Sequence, residues 1–130
     1  MAKDIMFTGD GVPMAGMDET MDRALDIMDE KRLGVIFITG ERMKIEGIIT
    51  DGDVRRMVVG KIAIHGRPVA ELMTRSPRSI LPDTPLYEAL NIMETHQITV
   101  MPVVENDGTL TGTVHLHDIL GKGAVKFNGV

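Results

Sequence analysis

Gly47-Ile48-Ile49-Thr50-Asp51-Gly52-Asp53 recurs as Gly112-Thr113-Val114-His115-Leu116-His117-Asp118, 65 residues further on (112 minus 47). The register holds upstream without a gap. Ala24, Leu25, Ile27, Met28 and Val35 meet Ala89, Leu90, Ile92, Met93 and Val100, and Asp18 meets Asp83. Two copies describe a pseudo-twofold pair, whereas a solenoid needs three or more units. The copies divide the chain at 1–66 and 67–130, and a pair of this kind is expected to build a cleft between its halves. A fainter echo precedes each copy: Asp4-Ile5-Met6 before Pro13 matches Glu71-Leu72-Met73 before Pro77, with the glycine-rich stretch Thr8 to Val12 inserted in the first.

Each quoted string runs off a strand into a helix. Upstream, Met21, Ala24, Leu25 and Met28 fall at i, i+3, i+4 and i+7, one apolar helical face, and Leu86, Ala89, Leu90 and Met93 repeat it. Asp18 and Glu19 at the start and Lys31 and Arg32 at the end suit the helix dipole. In the second copy Thr84 is the expected N-cap, with Pro85 at the first helical position. Two β-branched runs follow each helix. They are 35–38 and 45–50, joined by Thr39-Gly40-Glu41, and 100–104 and 110–114, joined by the hairpin signal Asn106-Asp107-Gly108. Second helices are predicted over 51–59 and 116–121, and a short one over 69–73. The fold class is α/β (α+β), each copy reading helix, strand, strand, helix.

Composition sets the limits. With 43% hydrophobic and 25% charged residues in 130, the chain can bury one domain-sized core, while a single copy is near the lower limit for folding alone. A net charge of −5 opposes nucleic-acid and anionic-membrane partners, which need a basic face. Zero cysteines exclude disulfides and thiol catalysis and fit a reducing, cytoplasmic setting. No apolar run is long enough for a membrane span.

The two polar signatures carry the chemistry. A strand-to-helix junction gathers backbone N–H groups that favour an anion such as a phosphate. Thr50 offers a hydroxyl to a phosphate or ribose oxygen, Asp53 can accept from paired ribose hydroxyls, and Arg55 and Arg56 can neutralise phosphates. His115 replaces Thr50 in the second copy, and Asp118 keeps the carboxylate. The competing reading is that Thr50 or Asp51 caps the helix and Asp53 decorates its first turn. The recurrence of the aspartate leaves both open. On an extended strand His115 and His117 share a face and can both reach one ion. His65 and His96 lie in other elements, so no metal is expected. No nucleophile elbow, cysteine or phosphate-loop lysine is present, so no catalytic residue is assigned.

The doubled unit, Met101-Pro102-Val103-Val104 and Gly-x-x-Thr/His-x-x-Asp together resemble a tandem pair of CBS domains, a Bateman module. The first copy departs from it, having Phe37 where the second has Pro102. The resemblance implies two β-α-β-β-α units, small sheets packed on helices, homodimers, and a small-molecule ligand such as AMP or ATP in the cleft, with no cofactor required. Thr50 and Asp53 would serve one site, His115 and Asp118 the other. Lys31-Arg32-Leu33-Gly34, Thr50-Asp51-Gly52-Asp53-Val54-Arg55-Arg56 and His115-Leu116-His117-Asp118-Ile119-Leu120 are similar to the regulatory region of bacterial arabinose-5-phosphate isomerases. That implies a sugar isomerase domain as partner in the parent protein, and the CMP-activated octulosonate of lipopolysaccharide synthesis as a feedback ligand. A structural dimerisation module without ligand is the alternative.

Overall fold

The structure, a computed structural model, describes residues 1–121. Its compact units do not follow the repeat boundary at 66/67. One is Pro13–Pro77; the other joins Met1–Val12 to the chain from Arg78 onward. The cause is local: the segment leading into each repeat packs on the hairpin of the other. The expected end of the second repeat at 130 lies outside the described residues.

The 13–77 unit contains β1 (Met14–Gly16), α1 (Met21–Lys31), β2 (Val35–Thr39), β3 (Ile45–Thr50), α2 (Asp51–Val59), α3 (Val69–Leu72) and β4 (Thr74–Arg75). Its sheet runs β1-β2-β3-β4, with β1 parallel to β2 and the other pairs antiparallel. Strand β2 is buried along its whole length, as its unbroken apolar run requires. Ile36 and Ile38 on one face join Ile49, Met21, Ala24, Met28, Met57 and Val69 in one core. The α1 face predicted from the 3.6-residue period is the face that packs. Thr20 caps α1 by accepting the Arg23 N–H at 3.3 Å, and Arg32 ends it in the left-handed conformation.

The other unit contains α4 (Leu86–His96), β5 (Val100–Val104), β6 (Leu110–His115) and α5 (Leu116–Gly121), with β5 and β6 antiparallel. Single bridge residues extend both edges: Ile80 lies parallel to Val103, and Phe7 antiparallel to Thr113. Ile80 beside Val103 repeats Ala15 beside Ile38 at the 65-residue offset. Ala2, Ile80, Ala89, Met93, Met101, Val103, Val114 and Ile119 form its core. The echo before each repeat is thus structural, because Ala2 takes the buried place that Val69 holds in the first unit. Met6 and Met73 take matching places too, lying where a Cβ on Gly112 or Gly47 would have to go.

The hairpins differ. Gly108, at φ 91°, turns β5 into β6, whereas Arg42 and Met43 make the left-handed turn between β2 and β3 without glycine. One capping expectation is corrected. Pro85, extended at φ −61° and ψ 144°, is itself the N-cap of α4, and the Thr84 hydroxyl turns back to accept the Leu81 N–H at 3.0 Å.

Candidate functional site

Strand β3 ends at Thr50 and α2 starts at Asp51, so the first signature stands at a strand-to-helix junction as expected. There Thr50 and Asp53 form a reciprocal capping box. The Asp53 N–H donates to Thr50 Oγ1 at 3.1 Å, and the Thr50 N–H donates to Asp53 Oδ2 at 2.9 Å. Arg56 Nη2 reaches the other carboxylate oxygen at 2.5 Å. Burial pushes the Asp53 carboxyl up, but the Thr50 N–H and Arg56 outweigh it and hold the group below its ordinary value. The Asp51 N–H is also occupied, donating to the Gly34 carbonyl at 3.0 Å. Of the first three helical N–H groups only that of Gly52 lacks a hydrogen bond among the described residues. The expected cluster of anion-binding N–H groups is therefore largely spent inside the fold. A ligand here would meet the Thr50 hydroxyl, the half-buried Asp53 and Arg56.

Arg55 and Arg56, paired by their adjacency in sequence, point to different places because neighbours on a helix are about 100° apart. Arg56 stays with Asp53. Arg55 borders a cavity of about 460 Å³ between α1 and α2, across from Arg32. Leu25, Met28 and Val54 give that cavity its apolar wall, and Asp29 and Asp51 line it together with the two arginines. Nothing in the Thr50–Asp53 string announces this second surface; the Lys31-Arg32-Leu33-Gly34 turn is its one trace in the sequence.

The second signature is built differently. His115 closes β6, and the Leu116 N–H donates to the Thr99 carbonyl at 2.8 Å, turning the chain into α5. His117 consequently lies in the first turn of the helix predicted over 116–121, and the extended-strand geometry of the metal reading does not apply to it. The two rings still meet, stacked with centroids 4.8 Å apart and planes 22° from parallel. The His117 N–H donates to His115 Nδ1 at 3.1 Å, so an imidazole nitrogen does the capping that the Thr50 hydroxyl does in the first repeat. Burial pushes the His115 imidazole down, the His117 charge adds to this, and Asp118 opposes it. Asp118 has no capping bond to match that of Asp53 among the described residues. No group of three metal-binding side chains gathers among the described residues.

A third polar constellation went unread in the sequence. Asp22 of α1 accepts from the His65 ring at 2.7 Å and from the Gly66 N–H at 2.7 Å, and these bonds hold its carboxyl below the ordinary value. Its partners lie 43 and 44 positions away, beyond any periodic signal.

The family model described as CBS domain matches residues 2–60 and 69–124. Arabinose 5-phosphate isomerase KdsD of Salmonella typhi is 39% identical over 122 residues, and that of Escherichia coli (strain K12) is 37% identical. Each alignment covers 94% of this chain, which spans only 37% of the length of either relative. Among solved structures, CBSX2 in complex with AMP superposes with a TM-score of 0.80 at 22% identity, over 94% of both chains. Hypoxic Response Protein I with two coordinated zinc ions superposes at 0.79 with 30% identity, over 92% of this chain and 96% of that one.

Proposed function

This chain belongs to the CBS domain family, and from that premise we propose that it is a regulatory ligand-binding pair without chemistry of its own. Its ligand is a nucleotide or nucleotide-sugar, with AMP, ATP and the CMP-activated octulosonate as the candidates. The observation that carries this reading is the recurrence of a hydroxyl or imidazole and an aspartate, three residues apart, at the same strand-to-helix junction of both repeats. A capping role alone explains Thr50 and Asp53, but it leaves Asp118 unexplained. AMP in the related CBSX2 structure supports an adenine nucleotide. The isomerase relatives support a parent protein in which the pair controls an arabinose-5-phosphate isomerase domain. A ligand exerts such control by preferring one conformation of the pair over another.

The chain contains no cysteine, and among the described residues no helix is long and apolar enough to cross a membrane; a cytoplasmic place for the pair and its parent protein is part of the proposal. A dimerisation role is favoured by one observation of its own: Val58 and Val59 at the end of α2 are 64% and 76% exposed, an unusual place for paired valines. That role is compatible with ligand binding.

Thermal shift with AMP, ATP, CMP, the CMP-activated octulosonate and arabinose 5-phosphate tests the proposal. A ligand at a hundred times its dissociation constant stabilises the fold by about 2.7 kcal/mol, several degrees for a domain of this size. A selective shift by the cytidine sugar identifies feedback control, and one by adenylates identifies energy sensing. With no shift from any of them, the ligand reading is lost and the dimerisation role stands alone.

A further inference from the structure

We infer that the cavity between α1 and α2 is a binding site for a phosphorylated polyol, such as a sugar phosphate, separate from both strand-to-helix junctions. The inference does not depend on the nucleotide reading.

The cavity, about 460 Å³, falls in the ordinary range for small-molecule sites. Every residue lining it belongs to the 13–77 unit. Its two helices are tied together where the Asp51 N–H donates to the Gly34 carbonyl at 3.0 Å. Four charged side chains line it: Asp29 and Arg32 from the end of α1, Asp51 and Arg55 from α2. None of the four makes an ion pair or a side-chain hydrogen bond among the described residues. Elsewhere in the unit Asp22 takes His65, Asp53 takes Arg56 and Glu71 takes Arg67.

The repeat separates what the fold needs from what has been added. At the 65-residue offset Leu25, Met28 and Val54 become Leu90, Met93 and Ile119, so the apolar wall is common to both copies. Met93 and Ile119 are core residues of the second unit. Arg32, Asp51 and Arg55 become Gln97, Leu116 and Leu120. The second copy folds the same pair of helices without the arginines, so the charges around the first cavity serve something other than packing.

Their chemistry selects the ligand. Two guanidinium groups, one from each helix, suit a phosphate dianion, whose oxygens accept several N–H bonds at once. The two carboxylates repel a bare phosphate or a dicarboxylate, but they accept hydrogen bonds from hydroxyl groups. The apolar wall meets the C–H face of a sugar. No aromatic side chain lines the cavity to stack a base, which favours a sugar phosphate over a nucleotide.

The test is a calorimetric titration of the whole chain with arabinose 5-phosphate, arabinose and inorganic phosphate as probes, alongside AMP. Arg32→Gln and Arg55→Leu install the residues of the second copy. Gln97, at φ 55°, caps α4 in the left-handed conformation that Arg32 adopts at φ 58°, so the backbone accepts the exchange. Circular dichroism establishes that each variant is folded. Each should weaken arabinose 5-phosphate at least tenfold and leave AMP within twofold. Asp51→Asn should weaken arabinose 5-phosphate and tighten inorganic phosphate. The parent chain should bind arabinose 5-phosphate at least tenfold more tightly than arabinose or inorganic phosphate, with amide chemical-shift changes centred on Gly34, Val54 and Arg55. Unchanged affinity in both arginine variants, displacement by AMP, equal affinity for inorganic phosphate, or no binding of arabinose 5-phosphate overturns the inference. The nucleotide reading is decided separately, by AMP, ATP and the cytidine sugar.

Discussion

Phe7 and Thr113 exchange a pair of backbone hydrogen bonds, Phe7 N–H to the Thr113 carbonyl at 2.9 Å and Thr113 N–H to the Phe7 carbonyl at 3.0 Å. The opening segment of the chain is thereby a partner of β6, the strand that ends at His115. In the 13–77 unit, β4 does the same for β3, the strand that ends at Thr50. Each polar signature therefore sits at the end of a strand flanked by the segment that leads into the other repeat.

Gly112 makes this approach possible. A Cβ there would stand 2.6 Å from Met6 Sδ and 2.7 Å from the Phe7 carbonyl oxygen. The thioether can swing aside, but the carbonyl can move only by giving up its bond to Thr113. Gly112→Ala should cost about 1–3 kcal/mol, as overpacking generally does. It should also speed hydrogen exchange at the Phe7 and Thr113 amides before other amides of β6. An unchanged denaturation midpoint would show that the segment docks without needing the notch.

The capping box makes a separate prediction with a defined pH dependence. Thr50→Ala removes the acceptor for the Asp53 N–H and should cost about 1 kcal/mol. The Asp53 carboxyl is held below its ordinary value of 3.8 in the fold. Its contribution is therefore complete above that value and disappears as pH falls through the folded one, because the unfolded chain protonates first. Urea denaturation between pH 2.5 and 7 should show less acid destabilisation in Asp53→Asn than in the parent. Identical pH profiles would mean that the carboxylate contributes nothing to the fold.

How much of this was legible varies with the kind of signal. The 65-residue register, the faces of α1 and α4, and the buried runs of β2 and β5 are periodic or compositional, and the structure places them where the sequence reads them. The 13–77 division was not legible, because β4 has two residues and its counterpart is the single bridge at Phe7, too short to carry any pattern. At the two junctions, the aspartate offset places Asp53 and Asp118 at equivalent positions, but does not show that one is engaged in a cap and the other, among the described residues, is not. That difference comes from an imidazole whose Nδ1 takes the His117 N–H, where the Thr50 hydroxyl takes that of Asp53. The separation of Arg55 from Arg56 followed from helical geometry and was obscured by treating the pair as one charge.

His115 predicts a second pH dependence, at milder acidity. Burial first, and then His117, hold its imidazole below the ordinary 6.5. As pH falls through that value the unfolded chain takes up its proton before the folded one does. Stability should decline from neutral pH and level off below the folded value. His115→Thr, which restores the residue type of the first repeat, should flatten the profile between pH 5 and 7.5, and nuclear magnetic resonance should find His115 titrating at lower pH than 6.5. A His115 that titrates at or above 6.5 would contradict the desolvated, capping imidazole.

The division into units sets the last test, made on fragments. Residues 13–77 are contiguous and carry a complete core, with Val69 of α3 fully buried beneath the sheet and β4 paired to β3. The sequence repeat cut at 66 loses both, stripping the partner from the outer edge of β3 and uncovering the hydrophobic cluster of Ile36, Ile38 and Ile49. It also keeps the 1–12 segment, which has no β6 to pair with. The 13–77 fragment should unfold cooperatively in urea with dispersed amide resonances, whereas 1–66 should lack a sigmoidal transition and bind a hydrophobic dye. If 1–66 folds as well as 13–77, the leading segments are dispensable decoration and the repeat, not the compact unit, is what this sequence folds.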